Sequence, residues 1–268
     1  MPVLTLPLSD AARCVRATVP ETTWNPIYRQ LAGSDSGGVD ALETGAVDAE
    51  DVMLHQQFTA PALLVLAVTT EEGTDRVRVS LSPQEAGLES SHDDAPSRWE
   101  TLHPMKLPER LDAVLKQAGL ETGALATDVE DPSKCLTLTR GQSQELVRRL
   151  RVSADSEAAI RSLEGVDERL RDALTATGTR LALTLTLHDP SGQQLEAPFA
   201  FSRLWVRGEF GMYRMDSDSS GLGPIQQVSP RDVLGTVMAL LDQGLRFTTA
   251  CIAADRAHAA VAMGGDRR

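Results

Sequence analysis

The segment from Ala62 to Leu81 reads Ala-Leu-Leu-Val-Leu-Ala-Val-Thr-Thr-Glu-Glu-Gly-Thr-Asp-Arg-Val-Arg-Val-Ser-Leu. Its first eight residues, Ala62–Thr69, are almost entirely apolar. Arg76–Leu81 alternates polar and apolar side chains, which is typical of a strand with one face exposed to water. Glu71–Asp75, with Gly73 inside it, separates the two runs. The segment therefore predicts a β-hairpin that has one apolar face.

A second hairpin with the same plan is predicted in the other half of the chain. Arg180–His188 alternates as Arg-Leu-Ala-Leu-Thr-Leu-Thr-Leu-His, and Asp189–Gly192 reads Asp-Pro-Ser-Gly, a strong turn signal. We expect Gln193–Arg207 to return as the second strand. Gly192 then has the same place in this hairpin as Gly73 has in the first.

Other predicted elements repeat in the same order. Each half begins with a short strand before a helical pattern and later contributes two more extended segments. These strands are Leu4–Leu6, Gly87–His92 and Trp99–Leu102 in the first half, and Leu136–Leu138, Phe210–Met215 and Pro224–Val228 in the second. Each half closes with a helix. These helices start at Pro108 and Pro230, and we expect them to end at Gly119 and Gly244, because proline favours the first helical position and glycine the position after the last.

The remaining helical patterns lie between these elements. Helices are predicted at Ala49–Phe58, Asp155–Leu163 and Val166–Thr175. Alanine-rich residues after Arg246 predict further helix as far as Val261. Residues 32–48 are rich in Gly, Ser and Asp and predict a loop.

Together these patterns predict an α+β protein made of two tandem copies, residues 1–131 and 132–268, linked near Val129–Ser133. A hairpin with one apolar face is only marginally stable by itself. We therefore expect the two copies to pair edge to edge into one central antiparallel sheet with a pseudo-twofold axis, and each copy to add a helical subdomain. The two copies would form one domain around a shared core.

Charge and composition exclude several classes of protein. The net charge is −12, which argues against binding to nucleic acid or to anionic membranes. Residues 1–131 hold 22 acidic and 9 basic side chains, so most of the negative charge is in the first half. No segment reaches the about 18 apolar residues of a membrane span. With no signal-peptide pattern and three scattered cysteines, we expect a cytoplasmic protein with buried free thiols.

No catalytic, cofactor or metal motif is legible in the sequence. Asp216–Gly221 resembles the start of a calcium loop, but its twelfth position is Gln227, an amide that cannot act as the bidentate carboxylate. We interpret it as a polar loop. Ser34 lies in a Gly/Ser/Asp run with no base nearby to activate it. We therefore expect no enzyme activity, no cofactor and no metal.

The densest group of large apolar side chains lies in the second half, interleaved with arginines. Alternate members should fill the core beneath the sheet, and any that face outward would suit the centre of a protein interface with an acidic rim. The group consists of Leu204, Trp205, Val206, Phe210, Met212, Tyr213 and Met215, with Arg203, Arg207 and Arg214 between them.

The order and spacing of these elements are similar to those of the EspG family, cytosolic chaperones of actinobacterial type VII secretion. The segments that carry the resemblance are Gly178–Leu183, the turn at Gly192, Val228–Pro230, Leu4–Leu6 with Trp24, and Leu107–Leu120. The resemblance implies a quasi-twofold fold and a non-catalytic role, in which the protein binds helical secretion substrates such as PE–PPE heterodimers. It also implies contacts on the sheet, in the C-terminal helical part and in the hairpin loop, which here is Thr69–Asp75.

Our prediction is therefore a cytosolic chaperone or adaptor that binds a helical type VII secretion substrate. A non-catalytic structural or regulatory module that pairs with a second copy through its edge strands is the alternative. An unrecognised hydrolase is the third hypothesis. The residues predicted to contact the partner are Glu71, Glu72, Thr74, Trp205, Arg207, Met212 and Tyr213.

Overall fold

The computed structural model describes residues 3–16, 25–28, 49–120, 135–152, 155–218 and 221–264. Its strands are β1 (Val3–Leu6), β2 (Ala62–Thr70), β3 (Gly73–Ser80), β4 (Ala86–His92), β5 (Ser97–Leu102), β6 (Cys135–Leu136), β7 (Arg180–Leu187), β8 (Phe199–Arg207), β9 (Met212–Asp218) and β10 (Gly221–Val228). Its helices are α1 (Leu8–Arg16), α2 (Ala49–Thr59), α3 (Leu107–Gln117), α4 (Arg140–Val152), α5 (Ser156–Arg161), α6 (Glu168–Thr175) and α7 (Arg231–Gly264).

All ten strands form one sheet in the order β1-β5-β4-β3-β2-β7-β8-β9-β10-β6. Every neighbouring pair is antiparallel, so the predicted α+β class with a central antiparallel sheet is confirmed. The two halves meet where β2 pairs with β7, from Ala62 opposite Leu187 to Thr69 opposite Arg180. Strands β1–β5 and β6–β10 follow the same order from the outer edge to the centre. An origin by duplication and a division at residue 131 stay predictions.

One face of the sheet is closed by the long helix α7 together with α3. Alternate residues of the strands point to this side, as the period of two in a strand requires. Apolar side chains from both halves of the chain meet there in one core, which is why the sheet cannot be split into two independent units. The core includes Leu64, Leu66, Val77, Val79, Leu111, Leu115, Leu181, Leu183, Leu185, Trp205, Val233, Val237 and Leu241.

Of the helices that the structure describes, those on the opposite face cover it towards its two ends. Helices α1 and α2 cover the first-half end with a core around Phe58, whose ring stacks on Tyr28 at 4.1 Å between centroids and lies 5.8 Å from Trp99. Helix α6, with Leu163 and Val166 just before it, covers the second-half end with a core that includes Leu170 and Tyr213. The middle of this face lies between the two helical units.

Helix α7 differs from the predicted closing helix in its length. It runs for 34 residues through Gly244, so the expectation that Gly244 ends the helix is wrong. A Cβ atom at Gly244 would clash with Leu81 Cδ1 and lie 3.3 Å from Leu185 Cδ1. The glycine lets the helix approach the sheet closely, and the helix continues because no proline or capping residue follows to stop it.

The first closing helix agrees with its prediction. Helix α3 starts at Leu107-Pro108, and the backbone at Gly119 has φ +72°, the left-handed conformation that ends helices. Leu107 provides no side-chain cap. A 3-10 turn at Pro104–Lys106 precedes it instead, and His103 accepts a hydrogen bond from Met105 N.

The second hairpin also differs from its prediction. The turn at Asp189–Gly192 is present, and Gly192 has φ +68°. Strand β8 begins only at Phe199, so the expectation that Gln193 already belongs to the returning strand is wrong. The Asp189 carboxylate accepts hydrogen bonds from the backbone N of Ser191 and of Gln194, which turns the chain into a wide loop.

The predicted helices at residues 49–58, 155–163 and 166–175 correspond to α2, α5 and α6. Asp155 and Asp167 cap α5 and α6, each accepting a backbone N–H bond. The predicted loop at 32–48, the link at Val129–Ser133, Ser34 and Trp24 lie outside the described residues.

Candidate functional site

The uncovered middle of the sheet forms a shallow strip, which we call the central groove. Residues that face each other across neighbouring strands form its central row: Ala67 opposite Ala182, Ala182 opposite Leu204, and Leu204 opposite Met215. Leu204 is 40% exposed although it lies in the interior of the sheet. The groove consists of Val65, Ala67, Ala182, Thr184, Leu204 and Met215.

The second-half side of the groove contains a cavity of about 310 Å³. The Thr184 and Ser202 hydroxyls lie 3.0 Å apart on its floor and satisfy each other. The cavity is lined by Ala182, Thr184, Ser202, Arg203, Leu204, Met215 and Asp216.

Side-chain size gives the groove its shape. Ala67 and Ala182 form a low floor at the pairing of the two halves, and Leu204 and Met215 form a higher apolar side. An α-helix with its side chains is about 10–12 Å wide, or roughly two strand spacings. The groove can therefore bury one apolar helix face against small residues without moving the sheet.

Three arginines lie on the groove side of the sheet: Arg76, Arg78 and Arg180. Arg78 is opposite Val65 and pairs with Glu89. Arg76 on β3 is opposite Ala67, and Arg180 on β7 is opposite Thr69. Arg180 donates a hydrogen bond to the carbonyl oxygen of Ala176 at 3.1 Å. Within the described ranges, neither Arg76 nor Arg180 forms an ion pair with a carboxylate.

The three arginines singled out from the sequence are bound within the protein. Arg203 donates to Asp216 at 2.8 Å, and Arg214 pairs with Asp232 at 3.2 Å. Arg207 donates to the carbonyl oxygen of Gly119 at 3.2 Å. These contacts hold the three side chains against the fold. That Arg207 contacts a partner stays a prediction.

Three of the predicted contact residues are inside the protein. Trp205 is 0%, Met212 2% and Tyr213 0% exposed. The Trp205 indole donates to Asp232 at 2.9 Å, and the Tyr213 hydroxyl donates to Asp172 at 2.8 Å. Their burial corrects the expectation that they contact a partner: the alternation of the strands turns Trp205 and Met212 beneath α7 and Tyr213 beneath α6.

The other predicted residues lie at one end of the sheet. Glu71 and Glu72 are exposed in the β2–β3 turn, and Thr74 follows them in β3. Arg207, together with the buried Met212, lines a cleft of about 640 Å³ beside the β8–β9 turn. Because β2 and β8 end on the same side of the sheet, these residues lie beyond one end of the central groove.

Polar contacts hold the β2–β3 turn. His92 Nδ1 lies 2.8 Å from Asp75 Oδ1, and Asp93 accepts a hydrogen bond from Thr74 N at 2.7 Å. The hydrogen bond to Asp75 and the charges of Asp93 and Asp75 raise the pKa of His92 above 6.5. Gly73 has φ +138°, and a Cβ atom there would lie 2.6 Å from Asp93 Oδ2, so this turn requires glycine.

A buried polar network borders the groove on the first-half side. Glu89 is 1% exposed and accepts hydrogen bonds from Tyr28, Arg78 and Ser97. Burial, followed by the charge of Glu89, raises the pKa of Tyr28 well above 10. Because Tyr28 and Glu89 are both sealed from solvent, we interpret the network as part of the core that fixes the position of β3 and β4.

The described residues contain no group of three or more His, Cys, Asp or Glu side chains that could hold a metal ion. Asp216, from the calcium-like segment, is in strand β9 and pairs with Arg203. The interpretation of Asp216–Gly221 as a polar loop is therefore wrong for Asp216–Asp218 and Gly221, which belong to β9 and β10. Of the cysteines, Cys251 is buried, Cys14 is half-buried and Cys135 is exposed, so the expectation of buried thiols is wrong for Cys135. None of the helices in the described part of the chain has the length and apolar character needed to span a bilayer.

Sequence reasoning did not select the residues that line the groove as contacts. The signal was present in the alternation of the two hairpins: Arg76 is on the polar side of Arg76–Leu81, and Arg180, Ala182 and Thr184 are on the polar side of β7. Which of these polar faces a helix leaves uncovered depends on tertiary packing.

No family model matches the chain, and no curated protein matches it. Among solved structures, the chain is similar to the type VII secretion system chaperone EspG5 of Mycobacterium tuberculosis, solved in complex with the PE25–PPE41 dimer. The identity is 11% and the TM-score 0.49, over 90% of this chain and 96% of that chain.

Proposed function

We propose that this protein is a non-catalytic, EspG-like cytoplasmic chaperone that binds a helical type VII secretion substrate and keeps it soluble for export. The observation that supports the proposal most strongly is the central groove. Its row of apolar side chains, with Leu204 40% exposed, crosses the interior of a ten-stranded sheet. A contiguous exposed apolar surface of this kind is typical of a protein-binding site.

The form of the groove favours a helix as its occupant. The helical units at both ends of this face leave a channel along the central strands, and the alanines of its floor allow a close approach. Strand addition requires a free sheet edge, whereas the central strands β2, β7 and β8 are paired on both sides. The groove therefore offers side-chain contacts, which suit an amphipathic helix.

The client in this proposal is a PE–PPE-like dimer or another helical-hairpin protein, bound in a 1:1 complex with one copy of the chain. Glu71, Glu72 and Thr74, at the end of the groove, remain proposed as contacts at its rim. Burying the apolar face of the client in the groove would prevent that face from aggregating before export.

The test is co-expression of the chain with the small helical secretion substrates of its own source, followed by size-exclusion chromatography. We expect a 1:1 complex that Leu204→Asp abolishes, because the substitution places a charge in the apolar contact. Leu150→Asp on α4 is the matched control, since Leu150 is 42% exposed and outside the groove. This variant should retain the complex.

Two results would contradict the proposal. Failure to form a complex with every helical substrate would reject the chaperone function. A complex that survives Leu204→Asp but is lost in Leu150→Asp would place the binding site on α4 instead of the sheet.

The alternative of a homodimeric module has one observation in its favour. Among the described strands none pairs with the outer side of β1, and Val3 in this strand is 50% exposed. Light scattering over a range of protein concentrations separates the two functions. A monomer at all concentrations supports the chaperone, whereas a stable dimer that a proline at Thr5 disrupts supports the module.

A further inference from the structure

We infer that Arg76 and Arg180 select a client helix that has acidic residues along the edge of its apolar face. The inference rests on the proposed function, because it assigns the chemistry of the client in the same groove. The inference concerns the charged residues of the client helix, whereas the proposed function concerns the apolar contact between that helix and the groove.

The register of the strands places the two arginines on either side of β2. Arg76 on β3 is opposite Ala67, and Ala67 is opposite Ala182 on β7. Arg180 precedes Ala182 by two residues, so its side chain is on the same face of the sheet. The two arginines therefore lie on the same face as the alanine floor, one on β3 and one on β7, towards the end of the groove where Arg180 donates to Ala176 O.

No carboxylate in the described part of the chain neutralises the charge of these two arginines. Three other arginines of the sheet have carboxylate partners: Arg78 pairs with Glu89, Arg203 with Asp216 and Arg214 with Asp232. Arg207, at the end of β8, donates to the carbonyl oxygen of Gly119. Among the residues that the structure describes, Arg76 and Arg180 have no carboxylate partner. Two uncompensated positive charges thus face the groove of a chain whose net charge is −12.

Three acids of the neighbouring strands and turn are engaged elsewhere in the described structure. Asp75 and Asp93 are held by His92 and by Thr74 N at the turn. Glu89 is 1% exposed. Arg76 and Arg180 therefore give the groove positive charge next to the acidic β2–β3 turn. A client helix with acidic residues would be attracted to the arginines and repelled by the turn, which would fix its orientation.

Arginine is suited to this role because its planar guanidinium binds a carboxylate with two parallel hydrogen bonds. An exposed ion pair of this kind contributes modestly, so two pairs should change the dissociation constant by about tenfold at low salt. Screening at high salt should remove most of this difference.

The experiment uses the full chain and three matched, fluorescein-labelled amphipathic peptides of about 20 residues, each with the same Leu/Ala face. The two positions at the edge of that face are Glu in the first peptide, Gln in the second and Lys in the third. Fluorescence anisotropy should give about tenfold tighter binding for the Glu peptide than for the Gln peptide, and weaker binding still for the Lys peptide.

The double variant Arg76→Gln, Arg180→Gln should bind the three peptides equally. Arg140→Gln, Arg151→Gln is the control, because both arginines are exposed on α4, outside the groove. This control should keep the preference for Glu.

The outcomes distinguish this inference from the proposed function. Equal binding of all three peptides, abolished by Leu204→Asp, would overturn the inference and leave the groove as a helix-binding site. A preference for the Lys peptide would also overturn it. Failure of all three peptides to bind would reject the inference, and the co-expression experiment would then decide separately on the proposed function.

Discussion

The strands β2, β7 and β8 have one face that helix α7 covers and one face that remains accessible. On one face, Leu64 and Leu183 are 0% exposed beneath α7. On the other, Ala182 and Leu204 remain accessible between two helical units. The closed face is rich in leucine, whereas the open face combines alanine, serine and threonine with isolated large apolar residues.

This difference shows how one sheet can have both a core and a binding surface. Dense leucine on the closed face gives α7 enough apolar area to pack along its length. Small and hydroxyl side chains on the open face keep it compatible with water while leaving enough apolar surface for a partner. The two faces also differ in single arginines: Arg214 is bound to Asp232 on the closed face, and Arg76 on the open face has no carboxylate partner in the described structure.

The largest expected effect comes from the buried charges beneath α7. Asp232 is 0% exposed and accepts hydrogen bonds from Trp205 and Arg214. Asp232→Ala should lower the free energy of unfolding by about 3–5 kcal/mol, because it leaves a buried arginine without this partner. Urea denaturation measures the change.

Arg76→Ala on the open face is the comparison, and it should change the stability by less than about 0.5 kcal/mol. An equal loss in the free energy of unfolding for the two variants would contradict the structure, in which Asp232 is buried and paired on the closed face and Arg76 is unpaired by any described carboxylate on the open face.

A smaller difference is expected from removing the same side chain on the two faces. Leu183→Ala should cost about 2–4 kcal/mol, because Leu183 is 0% exposed in the core and its loss leaves a cavity. Leu204→Ala should cost less than about 1 kcal/mol, because Leu204 is already 40% exposed. Thermal and urea unfolding of both variants measure the difference, and a greater loss for Leu204→Ala would contradict the open groove.

The smallest effect concerns the turn at the end of the groove. Since the folded protein raises the pKa of His92 above 6.5, protonated His92 stabilises the fold. This contribution should be complete below about pH 6.5 and lost as the pH rises through the folded pKa. An NMR titration of His92 should show the raised pKa.

Asp75→Asn should lower the pKa of His92, because it removes the charged hydrogen-bond partner. Asp94→Asn removes the same charge from a neighbouring exposed position and should lower it less. Equal pKa values in the two variants would mean that the contact between His92 and Asp75 does not form.

The resemblance of the two halves was visible in the sequence because it depends on local patterns. The alternation in Ala62–Leu81 and Arg180–His188 predicted the strands that pair at the centre of the sheet. Gly119 predicted the end of α3 correctly. Gly244 carried the same local signal, but packing against Leu81 and Leu185 gave it a different role.

The candidate site was less predictable from the sequence. Trp205, Met212 and Tyr213 have the composition of an interface, yet all three are buried. Large aromatic side chains suit both a core and an interface, so composition cannot separate the two. Arg76 and Arg180 lie outside that cluster, and only strand pairing brings them onto one face.

The sequence by itself determined the two central hairpins, their turns and the alternation of faces along their strands, because these follow from local backbone preferences and a period of two. Only the tertiary structure decided which side of the sheet is covered. That choice depends on where α7 and the two helical units pack, and their positions are set by contacts between residues far apart in the chain.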